Sequence, residues 1–259
     1  MDLRPVQFMT TAEQREYTVS VLQGFAERGL EVGLLDLENP DPGGAVTAIE
    51  MIGSIDLSLM VKTGVQWGLY GGAIAQLGTR HHHEKYLADA RALRTLGCFA
   101  MTETGHGSDV MSIRTTATFD PDTDELVINT PDLSARKDYI GNAALHARTA
   151  VVFAQLVVGD QQHGVHAVLV PIRDSRGARP GITLSDCGRK GGLNGIDNGR
   201  IWFDHVRVPR TGLLDRYGSL EKDGNYSSPI DNPKRRFFTM VGTLVRGRVS
   251  VAGAALNAT

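Results

Sequence analysis

Residues 102–109 read TETGHGSD, eight polar or glycine positions in a row directly after the apolar run Cys98-Phe99-Ala100-Met101. The hydroxyls of Thr102, Thr104 and Ser108 can each donate and accept a hydrogen bond. Glycines such as Gly105 and Gly107 let backbone N–H groups approach a ligand closely. A strand feeding such a loop can cradle the edge of a planar ring or a phosphate. Composition alone equally allows a serine/threonine turn that closes a strand. The loop lacks the GK[ST] of a nucleotide-binding P-loop and the GxGxxG of a dinucleotide fold.

Two further stretches have the same double character. In KDYIGNAALHA (137–147), Tyr139 beside Ile140 and Gly141 suits either the flank of a planar ring or a strand-to-loop corner. The glycine-rich CGRKGGLNGIDNG (187–199) reads first as turn chemistry ahead of a strand. Other chemistry is disfavoured. His81, His82 and His83 are consecutive, so on a helix their side chains diverge, and His106, His146, His163, His166 and His205 show no ligand spacing. Cys98 and Cys187 stand alone, which argues against a thiolate zinc site. No metal is expected. A GxSxG elbow is absent, and Ser108 with His106 two positions away is poor geometry for a nucleophile and its base.

The chain has 259 residues, 41% hydrophobic and 22% charged, with a net charge of −2. That is the balance of a soluble globular protein, without the basic face of a nucleic-acid or membrane binder. Lys234-Arg235-Arg236 is the one dense basic spot, either a solvated helix start or a phosphate contact. The N-terminal MDLRPVQFMTTAEQ has no apolar signal region, and no run approaches the ~18 apolar residues of a membrane span. Unpaired cysteines fit a reducing compartment, so a cytoplasmic location is expected.

Around these motifs the period of the sequence changes twice. Thr11 is expected to cap a helix carrying Tyr17, Val21, Leu22 and Phe25 and ending at Gly29. Apolar, glycine-tolerant helices follow at 45–60 and 63–77, and an amphipathic helix at 79–93 with Tyr86 and Leu87 inward. After Gly97 the period becomes two: strands are expected at 113–120, 125–130, 149–158, 165–172, 182–188 and 200–209. Short turns without intervening helices imply an antiparallel barrel or sandwich. After Pro233 a helical run continues through Thr259 without a stop signal. The expected class is therefore α+β: an N-terminal helical domain (1–96), a middle antiparallel β-barrel or sandwich domain (97–215), and a linker with the first helix of a C-terminal helical-bundle domain (216–259). The unstopped helix also suggests a fragment, or one half of an enzyme completed by a partner chain.

Taken in order, TETGHGSD, TTATFDPDTDELVINT, KDYIGNAALHARTAVVFAQL, GVHAVLVPIRD, GLNGIDNGRIWFDHVRVPR and RRFFTMVGTLVRGRVSVAG closely resemble acyl-CoA oxidases and the wider acyl-CoA dehydrogenase superfamily, from about residue 45 onward. The resemblance implies FAD, a fatty acyl-CoA substrate, oxidation to the 2,3-enoyl-CoA, and a homodimer or homotetramer. It places Phe99, Met101, Thr102, Gly107, Ser108, Tyr139, Ile140 and Gly141 at the flavin, with Thr102 on its pyrimidine edge. It places Ser108 and, by a looser match, Arg248 at the acyl-CoA. The GHG of the loop fits the oxidase branch. The family's catalytic glutamate would lie beyond Thr259, so no residue here is assigned as the base, and Glu103 takes a structural part. A non-catalytic or half-site subunit, and another flavin reaction on the same fold, are the alternatives.

Overall fold

The computed structural model describes residues 4–30 and 35–257. Helix α1 (Thr11–Glu27) is capped by Thr10, one position before the expected Thr11. Glu13 at the third helical position accepts from the Thr10 N–H at 2.7 Å, and Thr10 Oγ1 accepts from the Glu13 N–H at 3.3 Å. The run expected as one helix over 45–60 is two, α2 (Pro42–Gly53) and α3 (Leu57–Thr63), because the Asp56 carboxylate accepts from the Leu59 N–H at 2.8 Å and begins a new helix. Helix α3 passes into a π-helical stretch, Gly64–Gly71, and then into α4 (Gly72–Leu77). Next come α5 (Arg80–His82), a π-helical turn (His83–Leu87) and α6 (Ala88–Arg91).

The β unit follows. Strands β1 (Gly97–Ala100), β2 (Thr116–Asp120), β3 (Glu125–Asn129), β4 (Lys137–Ile140), β5 (Thr149–Val158) and β6 (Gln161–Pro171) lead to a small hairpin, β7 (Arg173–Asp174) with β8 (Gly177–Ala178). Then come β9 (Ile182–Asp186), β10 (Gly199–Phe203), β11 (Val206–Pro209) and a second small hairpin, β12 (Ser219–Leu220) with β13 (Tyr226–Ser227). Helices α7 (Pro233–Met240) and α8 (Leu244–Asn257) close the described chain, and the expected continuation to Thr259 lies outside it. No described helix is long and apolar enough to cross a membrane.

The α+β class and the helix, sheet, helix order match expectation, but the large sheet is mixed rather than purely antiparallel. β5 pairs antiparallel with β6, while β1 and β2 run parallel to it, sharing its other edge. The chain between β1 and β5 is long enough for such a crossover, which a tight turn would forbid. The single strand expected over 200–209 is also two. His205 adopts φ 49°, and the chain bends there, leaving β10 in a three-stranded sheet with β4 and β9 while β11 joins β3.

Strand β5 is apolar almost throughout because it is covered on both faces. Val151 and Phe153 belong to a core shared with Trp67, Tyr70, Ile74, Phe237 and Met240 of the helices. Ala150, Val152, Ala154 and Leu156 belong to a second core inside the β unit, with Ile128, Ile201 and Phe203. Gly97 lets the layers close up: a Cβ there would sit 2.2 Å from the Tyr70 ring.

Candidate functional site

The loop after β1 is built on a buried carboxylate. Both oxygens of Glu103 are used: one accepts from the Thr115 N–H (2.9 Å), the Thr115 hydroxyl (2.6 Å) and Lys137 Nζ (3.0 Å), the other from the Arg114 N–H (2.8 Å). Lys137 also donates to the Met101 and Phe153 carbonyls at 3.0 and 2.7 Å. Burial alone would raise the Glu103 carboxyl, but Lys137 and the donors around it hold it below the usual range. Burial pushes the Lys137 ammonium down to about 8. Glu103 is thus a structural anion, as its place in the motif implied.

Thr102 and β4 are stitched together. The Thr102 hydroxyl donates to the Asp138 carbonyl at 2.9 Å, and the Asp138 N–H donates to the Thr102 carbonyl at 3.2 Å. The Asp138 carboxylate works against burial with the help of the Thr104 hydroxyl, the Tyr139 N–H and the guanidiniums of Arg200 and Arg136, and lies below its ordinary range. Tyr139 follows at φ 56°, with its side chain 67% exposed. Its carbonyl accepts from Asn198 Nδ2 at 3.0 Å. A bulky residue in the left-handed region costs energy, on the order of 1–3 kcal/mol, and such strain concentrates at ligand-binding positions.

The expected flavin residues therefore divide by what they present. Tyr139 offers an exposed ring beside Thr102. Phe99 is half-buried, its ring 4.7 Å from that of Phe153. The side chains of Met101 and Ile140 are buried in the two cores, so these residues have only backbone to offer. Gly141 is a point of close approach, since a Cβ would meet Val65 at 2.9 Å and Ile196 at 3.1 Å. Gly107 and Ser108 are exposed further along the loop, with open space around a Cβ at Gly107.

Arg248 lies elsewhere, exposed on α8. It lines an apolar cavity of about 650 Å³ between α8 and the α2–α4 helices, with Ile49, Val61, Val65, Leu69 and Ser250. No hydrogen bond or ion pair joins Arg248 to Ser108 among the described residues. Val65 is the common wall, because it lines the cavity and touches the position of Gly141.

Sequence reasoning missed a buried cluster behind Gly141. Lys62 Nζ donates to Asn142 Oδ1 (2.9 Å) and Asp197 Oδ1 (2.8 Å), and lies 2.9 Å from His146 Nδ1. Asp197 Oδ2 accepts from the N–H groups of Leu145 (2.8 Å) and His146 (3.1 Å). Burial pushes the Lys62 ammonium down, whereas Asp197, despite its own burial, is held well below the carboxylate range by His146 and Lys62. The available signal was a lone lysine in the apolar helix LSLMVKT, which needs a buried counter-charge.

Residues 98–206 match the family model of the acyl-CoA dehydrogenase middle domain. The chain is 44% identical over 249 residues to the peroxisomal acyl-coenzyme A oxidase 3 of Arabidopsis thaliana, covering 95% of this chain and 37% of that protein. Its structure is similar to that of acyl-CoA oxidase 1 from Yarrowia lipolytica, with a TM-score of 0.88, 30% identity, and coverage of 99% of this chain and 36% of that one. It is also similar to acyl-CoA oxidase-1 from Caenorhabditis elegans complexed with FAD and ATP, at TM-score 0.75 and 30% identity over 88% of this chain and 34% of that one. The chain thus spans little more than a third of the length of these relatives. The expected cytoplasmic location is corrected by the Arabidopsis relative, which is named as a peroxisomal protein; unpaired cysteines do not distinguish two reducing compartments.

Proposed function

The chain belongs to the acyl-CoA oxidase and acyl-CoA dehydrogenase superfamily, of which it carries the N-terminal and middle portion, and from that premise we propose that its gene product oxidises a fatty acyl-CoA thioester to the 2,3-enoyl-CoA with FAD as cofactor and O2 as electron acceptor. The single observation that carries this reading is the exposed Tyr139 ring, held on left-handed backbone beside Thr102 and backed by a close-packed Gly141. These residues fit a flavin edge: one aromatic face, one hydroxyl able to accept as well as donate, and a backbone with no side chain in the way. Bound FAD supplies a two-electron acceptor for the substrate's β-hydride.

The chain's own residues bind and orient. Thr102 and the Tyr139–Gly141 segment would hold the ring, with the backbone of Met101 and the half-buried Phe99 behind it. Gly107 and Ser108 present an exposed, adaptable edge toward cofactor or substrate. The cavity bounded by Val61, Val65 and Leu69 is apolar enough to exclude water from an acyl chain, with Arg248 at its wall for the charged end of the thioester's carrier. Glu103 is unavailable as the base that takes the α-proton, because both its oxygens are occupied. We assign the base to a part of the enzyme outside this chain, the enzyme itself to a homodimer or homotetramer, and its site of action to the peroxisome.

Anaerobic addition of a fatty acyl-CoA to the full-length gene product is expected to bleach its flavin absorbance, and H2O2 should form in air. No bleaching with any chain length sinks the proposal. Bleaching without H2O2 leaves the acyl-CoA reading and removes the oxidase assignment.

A further inference from the structure

The turn Gly141–His146 joins Tyr139 to β5, and it is gripped from both sides. On its N–H side, Leu145 and His146 donate to Asp197. On its carbonyl side, the Arg173 guanidinium donates to Ala143 (3.2 Å), Ala144 (2.8 Å), Leu145 (2.6 Å) and Ala147 (2.9 Å). Asn142 has φ 68° and is fixed through both ends of its amide: Oδ1 accepts from Lys62, and Nδ2 donates to the Gly97 carbonyl at 2.9 Å. Lys62 comes from α3, and His146 Nε2 lies 3.0 Å from Glu16 of α1, so the grip is anchored in the helical layer.

A buried ion pair contributes little stability compared with well-packed apolar side chains of the same volume. What it supplies at this place is direction. Fixed donors and acceptors hold the left-handed Asn142, three positions after the left-handed Tyr139. We propose that Lys62, Asp197 and Arg173 are positioning residues, which set the backbone of Tyr139–Gly141 from behind and thereby the seat of the flavin ring. The proposal rests on the reading of Tyr139–Gly141 as the flavin face. It extends that reading to three residues whose grip lies on the turn behind Tyr139.

The test uses the full-length gene product and follows FAD affinity by flavin fluorescence, well below the melting temperature. Lys62→Met is expected to raise the FAD Kd about tenfold and to change the shape of the visible absorption of the flavin that remains bound. A lowered melting temperature with Kd unchanged and an unaltered spectrum overturns the proposal. Should Lys62→Met fail to fold, Arg173→Gln is read in its place, since it leaves the buried ion pair intact; a raised Kd supports the proposal, and an unchanged one overturns it. Tyr139→Ala separates the two layers of the argument. If it binds FAD as tightly as wild type, the flavin face is wrong and the positioning proposal falls with it, whereas weakened binding in Tyr139→Ala alone leaves the face standing and removes only the role of Lys62 and Arg173.

Discussion

Among the described residues two lysines, Lys62 and Lys137, have fully buried side chains, and each faces a buried carboxylate, at 2.8 and 3.0 Å. The chemistry is the same and the surroundings differ. Lys137 and Glu103 lie 34 positions apart, and around them the remaining partners are mostly backbone groups: the Met101 carbonyl just after β1, the Phe153 carbonyl of β5, and the Arg114 and Thr115 N–H groups before β2. Lys62 and Asp197 lie 135 positions apart, and all the partners of Lys62 are side chains, each from a turn of the β unit. The first pair closes a loop within one unit. The second ties two layers together. A buried charge therefore reports on whichever segments it joins, and the sequence separation of its partners indicates which level of structure it serves.

The largest effect that tests this contrast is expected from Glu103→Gln. Lys137 loses its counter-charge in a fully buried site, so urea unfolding should show a loss of about 3–5 kcal/mol in one cooperative step. A loss below about 1 kcal/mol would mean that Glu103 is not the keystone of the loop.

Acid comes next and acts on both pairs. Glu103 and Asp197 have folded-state values held below their ordinary 4.5 and 3.8. For a depressed carboxyl, the stabilisation is fully present above the unfolded value and is lost as pH falls through the folded one. Stability should therefore decline as pH drops below about 4.5, and the limb should extend further down for Asp197, whose depression is large. Glu103→Gln should flatten the upper part of that limb and leave the lower part in place. Equal flattening throughout would show that the two pairs titrate as one.

Smaller in free energy, and sharper as a contrast, is local opening. Lys62→Met should speed exchange of the Leu145 and His146 amides by about tenfold or more, with β2 and β3 unchanged. Equal acceleration in β2 and β3 would erase the distinction between the pairs. The smallest effect is expected at the surface. Arg207 reaches Asp120 at 2.8 Å and Glu125 at 3.2 Å with all three side chains partly exposed, so Arg207→Ala should cost under about 1 kcal/mol in the same unfolding assay.

Much of the fold was legible because it rests on period. The alternation in TATFD and ELVIN predicts a hairpin, and β2 and β3 pair from Thr116 with Asn129 to Asp120 with Glu125. The unbroken apolar TAVVFAQLVV predicts a strand, and β5 fills 149–158. Period does not show which strands pair, so the parallel pairing of β1 and β2 with β5 was missed, and element bounds failed where a single residue overrides period. Asp56 restarts a helix by capping it, and His205 turns one apparent strand into two in different sheets. At the site, motif order pointed to Thr102 and Tyr139, and it gave Glu103 its structural part. It could not show that Met101 and Ile140 turn their side chains into opposite cores.

By itself the sequence determined the local elements, the loop chemistry of TETGHGSD and the family to which the chain belongs. These depend on neighbours a few positions apart, or on an ordered series of motifs, and both are written along the chain. Only the tertiary structure decided that Lys62, Asn142, His146 and Asp197 meet, because the separations of 80 to 135 residues leave no periodic trace. It also decided that Val65 is both the wall of the apolar cavity and the surface against which Gly141 packs. Burial turns an ordinary lysine and an aspartate in a glycine-rich turn into a fixed ion pair, and burial is a property of the packed layers rather than of any segment read alone.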